Sequence, residues 1–418
     1  MSVHSFVAHF LKDNGYLETL KTFEAEHGKQ ITTELPHDES LTDIITDRLK
    51  YLSTEPQVQD SHDKILDEEL RSIKEKQFKE WAVPFPNVSH EIAKIDDLVI
   101  DSAIVHFDNK NYLILATSAR ELVVVDIESS SEVFRRKNVI GDVVIRKIAV
   151  TSNAVVLCGM QGKAFLCKFT HGMSELNIEA ERQIHARLVV DVKVVNWREQ
   201  DYLVSLGWDY LVKVFKIEDN DICPVGEPFK LANQGSCMDA CVYKDRITVL
   251  VGKSEITLMD VLCMGEEQKL SLDCRIALND AEFSAAGFTP MCVRIHQSGE
   301  NVPLVAVGTS HEPFMRAVIV TLKQVGIAAQ ETVQRNQIIA NLNTLSPQDK
   351  YSQAILDWRP DGTGLWVLGD DGVIRGIDLS SGKVSAELSG HEGRIKTLNV
   401  LTNLLVSCGT DRHILKWT

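Results

Sequence analysis

The sequence predicts a mostly-β fold built from a repeated unit and preceded by an all-helical N-terminal region. Three observations carry this. From about residue 100 onward, short β-branched runs follow one another between turn residues: AIVHF, YLILATS, LVVVDI, VVIRKIAV, VVLCGM, AFLCKF, VVDVKVVNW, YLVSLG and LVKVFKI. The runs recur as a group about every 40 residues, the mark of units that are each a small antiparallel sheet. Before Trp81 the apolar residues instead recur every three to four positions, which is the period of a helix.

At the N-terminus, Phe6, Val7, Phe10 and Leu11 form an apolar stripe on a first helix, Gly15 can take the positive φ that ends it, and Leu20 with Phe23 opens a second stripe. Two helices of about ten residues hide too little apolar area by themselves, so the seam predicts burial against a second copy. The series Phe6, Val7, Phe10, Leu11, Gly15, Tyr16, Thr19, Leu20, Phe23 and Glu26 resembles the LisH motif over residues 1–34. The resemblance implies a homodimerising hairpin whose contacts are Phe6, Val7, Phe10, Leu11, Tyr16, Leu20 and Phe23.

Residues 35–82 read as a helical extension. After a break at Leu35 and Pro36, Ser40 and Asp43 resemble a capping arrangement for a third helix bearing Leu41, Ile44, Ile45, Leu49 and Leu52. A polar stretch from Ser53 to Asp60 predicts a joint. From about His62 to Trp81 a charged helix carries Leu66, Leu70 and Ile73, with Gln77 in register. That spacing fits either a short coiled-coil seam or a solvated connecting helix.

Seven units begin near residues 102, 142, 187, 236, 288, 352 and 393. The last is the clearest, with Gly390-His391, Ser407, Asp411 and Trp417 at the ends of three strands. The unit around His185 carries Ser205, Asp209 and Phe215 at the same offsets, whereas Asp371 with Ile377, and Gly252-Lys253-Ser254-Glu255, keep only remnants. This pattern resembles the WD repeat and implies a roughly seven-bladed β-propeller over residues 88–418, in which the His, Ser, Asp and Trp hydrogen-bond across one blade. The chain stops straight after the third strand of its last unit, and Val88–Ile95 is placed to supply the fourth.

Composition narrows the function. The 418 residues are 44% hydrophobic and 25% charged, with a formal net charge of −15 and no basic arm, which argues against nonspecific binding to a phosphate backbone. Nine cysteines, mostly within strand-like runs, form no disulfide pattern and suggest a reducing compartment. Cys237 and Cys241 lack a second pair at metal-ligand spacing, so no metal is expected. No apolar run reaches about eighteen residues, and no secretion signal precedes the Asn87-Val88-Ser89 triplet. A cytoplasmic protein, or a nuclear one, is expected. Nucleophile-elbow, phosphate-loop and zinc-protease motifs are missing, so neither catalysis nor a cofactor is expected. Asp370-Asp371-Gly372 reads as a turn.

In propellers, the loops that precede each first strand and join each second and third strand gather around the central channel. The resemblance places Arg120, Trp208, Tyr210, His311, Phe314, Arg394 and Arg412 on that face, residue types that anchor interfaces. Ser310–Phe314 stands out, because it is longer than a tight turn needs. Together these features predict a non-catalytic, dimeric interaction scaffold within a larger complex. The alternative is a substrate-recognition or adaptor subunit of a ubiquitin-ligase or deubiquitinase assembly.

Overall fold

Strands whose two faces are both covered lose the alternation of apolar and polar residues, and that is how the β-branched runs are used. The structure, a computed structural model, describes residues 3–33, 40–42, 45, 66–279, 287–323 and 333–418. Most of the third helix expected from Ser40, and the joint after it, lie outside the described residues. The chain divides into two units, Met1–Gln57 and Val58–Thr418.

In the first unit, helices α1 (Val3–Asp13) and α2 (Leu17–His27) are joined at Gly15, whose φ is +76°. The Tyr16 amide donates to Leu11 O at 2.8 Å, which closes the end of α1. Gly28, at φ +74°, caps α2 by donating to Glu24 O and Ala25 O. The chain then folds back on the hairpin. Ile31 N donates to the Glu24 carboxylate at 3.1 Å, and His9 Nδ1 bonds Thr33 O at 2.8 Å.

The second unit is a seven-bladed β-propeller. Its blades span residues 99–137, 145–183, 189–230, 235–277, 290–347 and 356–389, and the seventh joins 395–417 to strand Ser89–Lys94 from the other end of the unit. Ser89–Lys94 pairs antiparallel with His413–Trp417, Ser89 opposite Trp417 and Lys94 opposite His413, so the ring closes as the sequence predicts. Blade four gains a fifth strand, Val333–Gln334, which lies parallel to Ser271–Ala277 and comes from the insertion in blade five.

Second strands such as Val155–Gly159, Leu304–Thr309 and Gly364–Leu368 are buried at every residue. Among the described residues the hydrophobic clusters lie between neighbouring blades, one for each of the seven interfaces. Two of these include residues upstream of the ring. Helix α3 (Glu68–Gln77) is N-capped by Asp67, which accepts Leu70 N at 2.7 Å. Leu66, Leu70 and Phe78 enter the cluster between blades five and six, with Ile73 packed against it. The stripe whose spacing fits a coiled-coil seam is thus used against sheet. Lys323 pairs with Glu69 at 3.0 Å, and Gln77 Nε2 donates to Val302 O at 3.0 Å.

Trp81 fills a slot between blades six and seven, 5.2 Å from Trp366 and under the Arg359 guanidinium at 4.1 Å. Glycine at positions 364 and 376 makes the slot, since a β-carbon at either would lie 2.4 or 2.5 Å from the indole. Residues 66–88 therefore form a strap across the outside of the last blades.

Candidate functional site

Two places hold the residues singled out by the sequence. In the hairpin, Phe6, Val7, Phe10, Leu11, Leu20 and Phe23 are all half-buried, and Tyr16 is exposed. Among the described residues 3–33, only Ala8 and Ile31 are buried. A single hairpin leaves its apolar stripes partly in water.

In blade seven, His391 Nδ1 lies 3.0 Å from Asp411, His391 Nε2 lies 2.8 Å from Ser407 Oγ, and Trp417 Nε1 donates to that hydroxyl at 2.9 Å. Blade three repeats the arrangement. His185 lies 2.8 Å from Asp209 and 2.9 Å from Ser205, while Phe215 is buried where the indole would be and makes no such bond. Gly207 and Gly409 are required for close approach: a β-carbon at either would meet the imidazole and the carboxylate within 2.5 Å. In blade six, Asp371 has no imidazole partner and instead pairs with Arg375 at 2.7 Å.

These networks brace the turns of the loop face. The residue opening the turn between second and third strands donates its N–H across to the loop that precedes the first strand. Ser118 bonds Leu98 O, Met160 bonds Val144 O, Trp208 bonds Leu188 O, Ser254 bonds Gln234 O, Ser310 bonds Thr289 O and Thr410 bonds Arg394 O. Both loop sets thus lie on one face. Arg120, Tyr210 and Arg412 occupy one turn position, in the left-handed region with φ of +67°, +65° and +69°.

The predicted face residues differ in how free they are. Trp208 and Tyr210 are 47% and 38% exposed, and Arg412 is exposed. Arg120 reaches Asp142 at 2.9 Å. Arg394 is held by Asp370 at 2.6 Å and by Tyr351 O at 3.2 Å, so it ties loops together. Phe314 begins a strand and is half-buried. The His311 ring packs on Phe288 and hydrogen-bonds Thr309 Oγ1 at 2.7 Å. That hydroxyl donates to Arg316 O, so His311 Nδ1 is the donor in its bond to Thr309. In this loop Glu312 and Pro313 are the exposed residues. Met160 and Tyr351 join Trp208 and Tyr210 as large exposed apolar side chains on the face.

Sequence reasoning missed the channel. In six blades the first strand bulges at the same place, between Val99 and Asp101, Ile145 and Lys147, Val189 and Asp191, Gly235 and Cys237, Pro290 and Cys292, and Ile395 and Thr397. The bulged residues line a cavity of about 300 Å³. Lys147 pairs with Asp191 at 3.1 Å and Lys193 with Asp239 at 3.2 Å, linking blades two, three and four. Asp101 accepts Ile148 N from the next blade at 2.8 Å, and burial raises its pKa above the ordinary carboxyl value. The signal available was a polar residue two positions after the β-branched strand start in four of the six, Asp101, Lys147, Asp191 and Thr397.

Burial holds His185 and His391 below the ordinary imidazole pKa, and burial reinforced by the Arg316 charge takes His311 to about 4. All three are neutral when folded, so the unfolded chain takes up protons first as pH falls. Their contribution is complete above about pH 6.5 and is lost progressively below it. Calorimetry should show the melting temperature dropping from pH 6.5 towards 4, with a shallower drop in His311→Gln. Identical pH profiles for that variant and the parent would contradict the assignment.

A helical hairpin of LisH type ahead of a seven-bladed ring defines the class, a LisH and β-propeller protein. The chain belongs to the family described as UCP007778, whose β-propeller domain matches residues 64–418 and whose LisH domain matches residues 1–33. No curated protein matches the chain. No described helix is long and apolar enough to cross a membrane.

Proposed function

We propose that this protein is a non-catalytic scaffold that dimerises through its hairpin and holds partner proteins on the loop face of a WD-type propeller, in the cytoplasm or nucleus. One observation carries the reading. Among the described residues of the second unit the large exposed hydrophobics are Val83, Val88, Met160, Ile178, Trp208, Tyr210 and Tyr351, and four of these seven belong to the loop face. Apolar and aromatic groups left in water on one face, beside arginine, are what protein interfaces use as anchors. The half-buried hairpin stripes supply the second interface.

The test is affinity purification of the tagged full chain. Replacing Trp208, Tyr210 and Arg412 together by Ala should remove the co-purifying subunits while moving the melting temperature little, since exposed side chains usually contribute within about 0.5 kcal/mol each. Retention of every subunit by the folded variant would exclude this face. Recovery of ubiquitin-ligase or deubiquitinase subunits would make the protein an adaptor within that machinery.

A further inference from the structure

We propose that the channel mouth on the loop face receives an acidic peptide segment, with a carboxylate held between Arg146 and Lys396 and a neighbouring apolar side chain seated against Trp208. The inference rests on the scaffold reading and names the chemistry of what the face holds.

The bulge sets the two cations. Arg146 and Lys396 occupy the same position in the first strands of blades two and seven, on either side of Ile100 of blade one. Both are half-buried on the cavity wall, and neither makes a hydrogen bond or ion pair with any described residue. Their neighbours behave differently. Lys147 and Lys193 have carboxylate partners, and Arg394 is held by Asp370. Burial, then the charge of Arg394, lowers the Lys396 pKa; the Asp370 carboxylate opposes this and Arg146 adds to it, so Lys396 lies among cations with no described carboxylate at ion-pair distance. Deeper in the channel, Arg294 donates from Nη1 to Val293 O at 2.9 Å and has no described carboxylate within ion-pair distance. Asp101 and Asp357 share this wall, and each accepts a backbone N–H at 2.8 Å. An arriving anion would remove the repulsion at the mouth, which gives it affinity and orientation.

The apolar end is continuous with the cationic one. A second depression, of about 410 Å³, is lined by Leu188, Val190 and Trp208 as well as Arg146 and Ser236. Arg146, Val190 and Ser236 line both depressions, so one groove offers charge at one end and an indole at the other. A nucleic acid fits poorly. Asp96, Asp142, Glu255 and Glu392, all exposed on the surrounding loops of a chain of net charge −15, would repel a run of phosphates, whereas a single carboxylate beside an apolar side chain meets only the two cations and the indole.

The test uses the full chain and a fluorescein-labelled hexapeptide of Ser and Gly that carries one Glu beside a central Phe and Leu, read by anisotropy. The same peptide with Lys for Glu, and a single-stranded oligonucleotide, are the comparison probes. The Glu peptide should bind and the Lys peptide should not. Arg146→Glu with Lys396→Glu should weaken binding about tenfold or more, and Trp208→Ala should do so separately. The melting temperature should barely move in either variant, because none of these side chains braces the fold. Equal binding of both peptides, or binding unchanged by charge reversal, would overturn the proposal. So would tighter binding of the oligonucleotide, or charge reversal that acts only on self-association in sedimentation. If the peptide fails while subunits still co-purify through the loop face, this inference falls and the scaffold stands. If the parent protein captures nothing, the scaffold reading falls.

Discussion

Replacing Trp81 with Ala should lower the unfolding free energy of the propeller by roughly 3–5 kcal/mol, the cost of emptying a large buried aromatic site. The indole is 9% exposed, stacks edge-on to Trp366 and lies against the backbones at Gly364 and Gly376. On the side of Gly364 and Gly376 there is no side chain to fill the slot. Trp81→Phe should cost much less. Trp81 Nε1 has no hydrogen-bond partner among the described residues, so that change removes volume and no bond. Truncation follows the same logic. Deleting residues 1–63 should leave a cooperatively unfolding propeller, whereas deleting 1–86 strips Leu70, Phe78 and Trp81 from two blade interfaces and should yield an unstable, aggregation-prone ring. Chemical denaturation measures all four variants. Equal stability of the two truncations would show that the strap contributes nothing.

Asp411→Ala should produce the next largest loss. Its carboxylate accepts from His391 Nδ1, from Glu392 N at 2.9 Å and from His413 N at 3.2 Å. A buried donor left unpartnered costs about 1–3 kcal/mol, and His391, with its side chain wholly buried, should dominate. Asp411→Asn keeps an accepting oxygen and should lose less. Trp417→Phe should cost only about 1 kcal/mol, because Ser407 keeps its bond to His391. Blade three already has that truncated form, with Phe215 beside a complete His185, Ser205 and Asp209 set. Urea melts of the three blade-seven variants should rank Ala below Asn and Phe. An Ala variant as stable as the Phe variant would mean the network does not hold the blade.

Much of this architecture was legible because local chemistry demanded it. The His391, Ser407, Asp411 and Trp417 spacing specifies a bond network that works only across three paired strands. A missing fourth strand required a donor, and Ser89–Lys94 was the β-branched-compatible run available. Gly15 marked the hairpin turn through its positive φ. The strap was not legible for a physical reason. Periodicity at Leu66, Leu70 and Ile73 defines an apolar stripe, and a stripe does not say whether helix or sheet covers it. Residue type alone could not separate the face residues either. Arg394 and His311 are committed to Asp370 and Thr309, while Trp208 and Arg412 face outward. At the channel, Arg146 and Lys396 sit inside apolar strand starts, and the bulge that turns them to the cavity is a property of register.

Sedimentation velocity of the full chain over a range of concentrations, compared with a Phe10→Asp, Leu20→Asp double variant, tests the dimeric scaffold most directly. The account predicts that the parent sediments at twice its 46.7 kDa chain mass. The variant, with charges placed in the apolar seam where they cannot be hydrated, should sediment as a monomer with its β-rich circular dichroism unchanged. A parent that stays monomeric at every concentration, or a variant that remains dimeric, would contradict it.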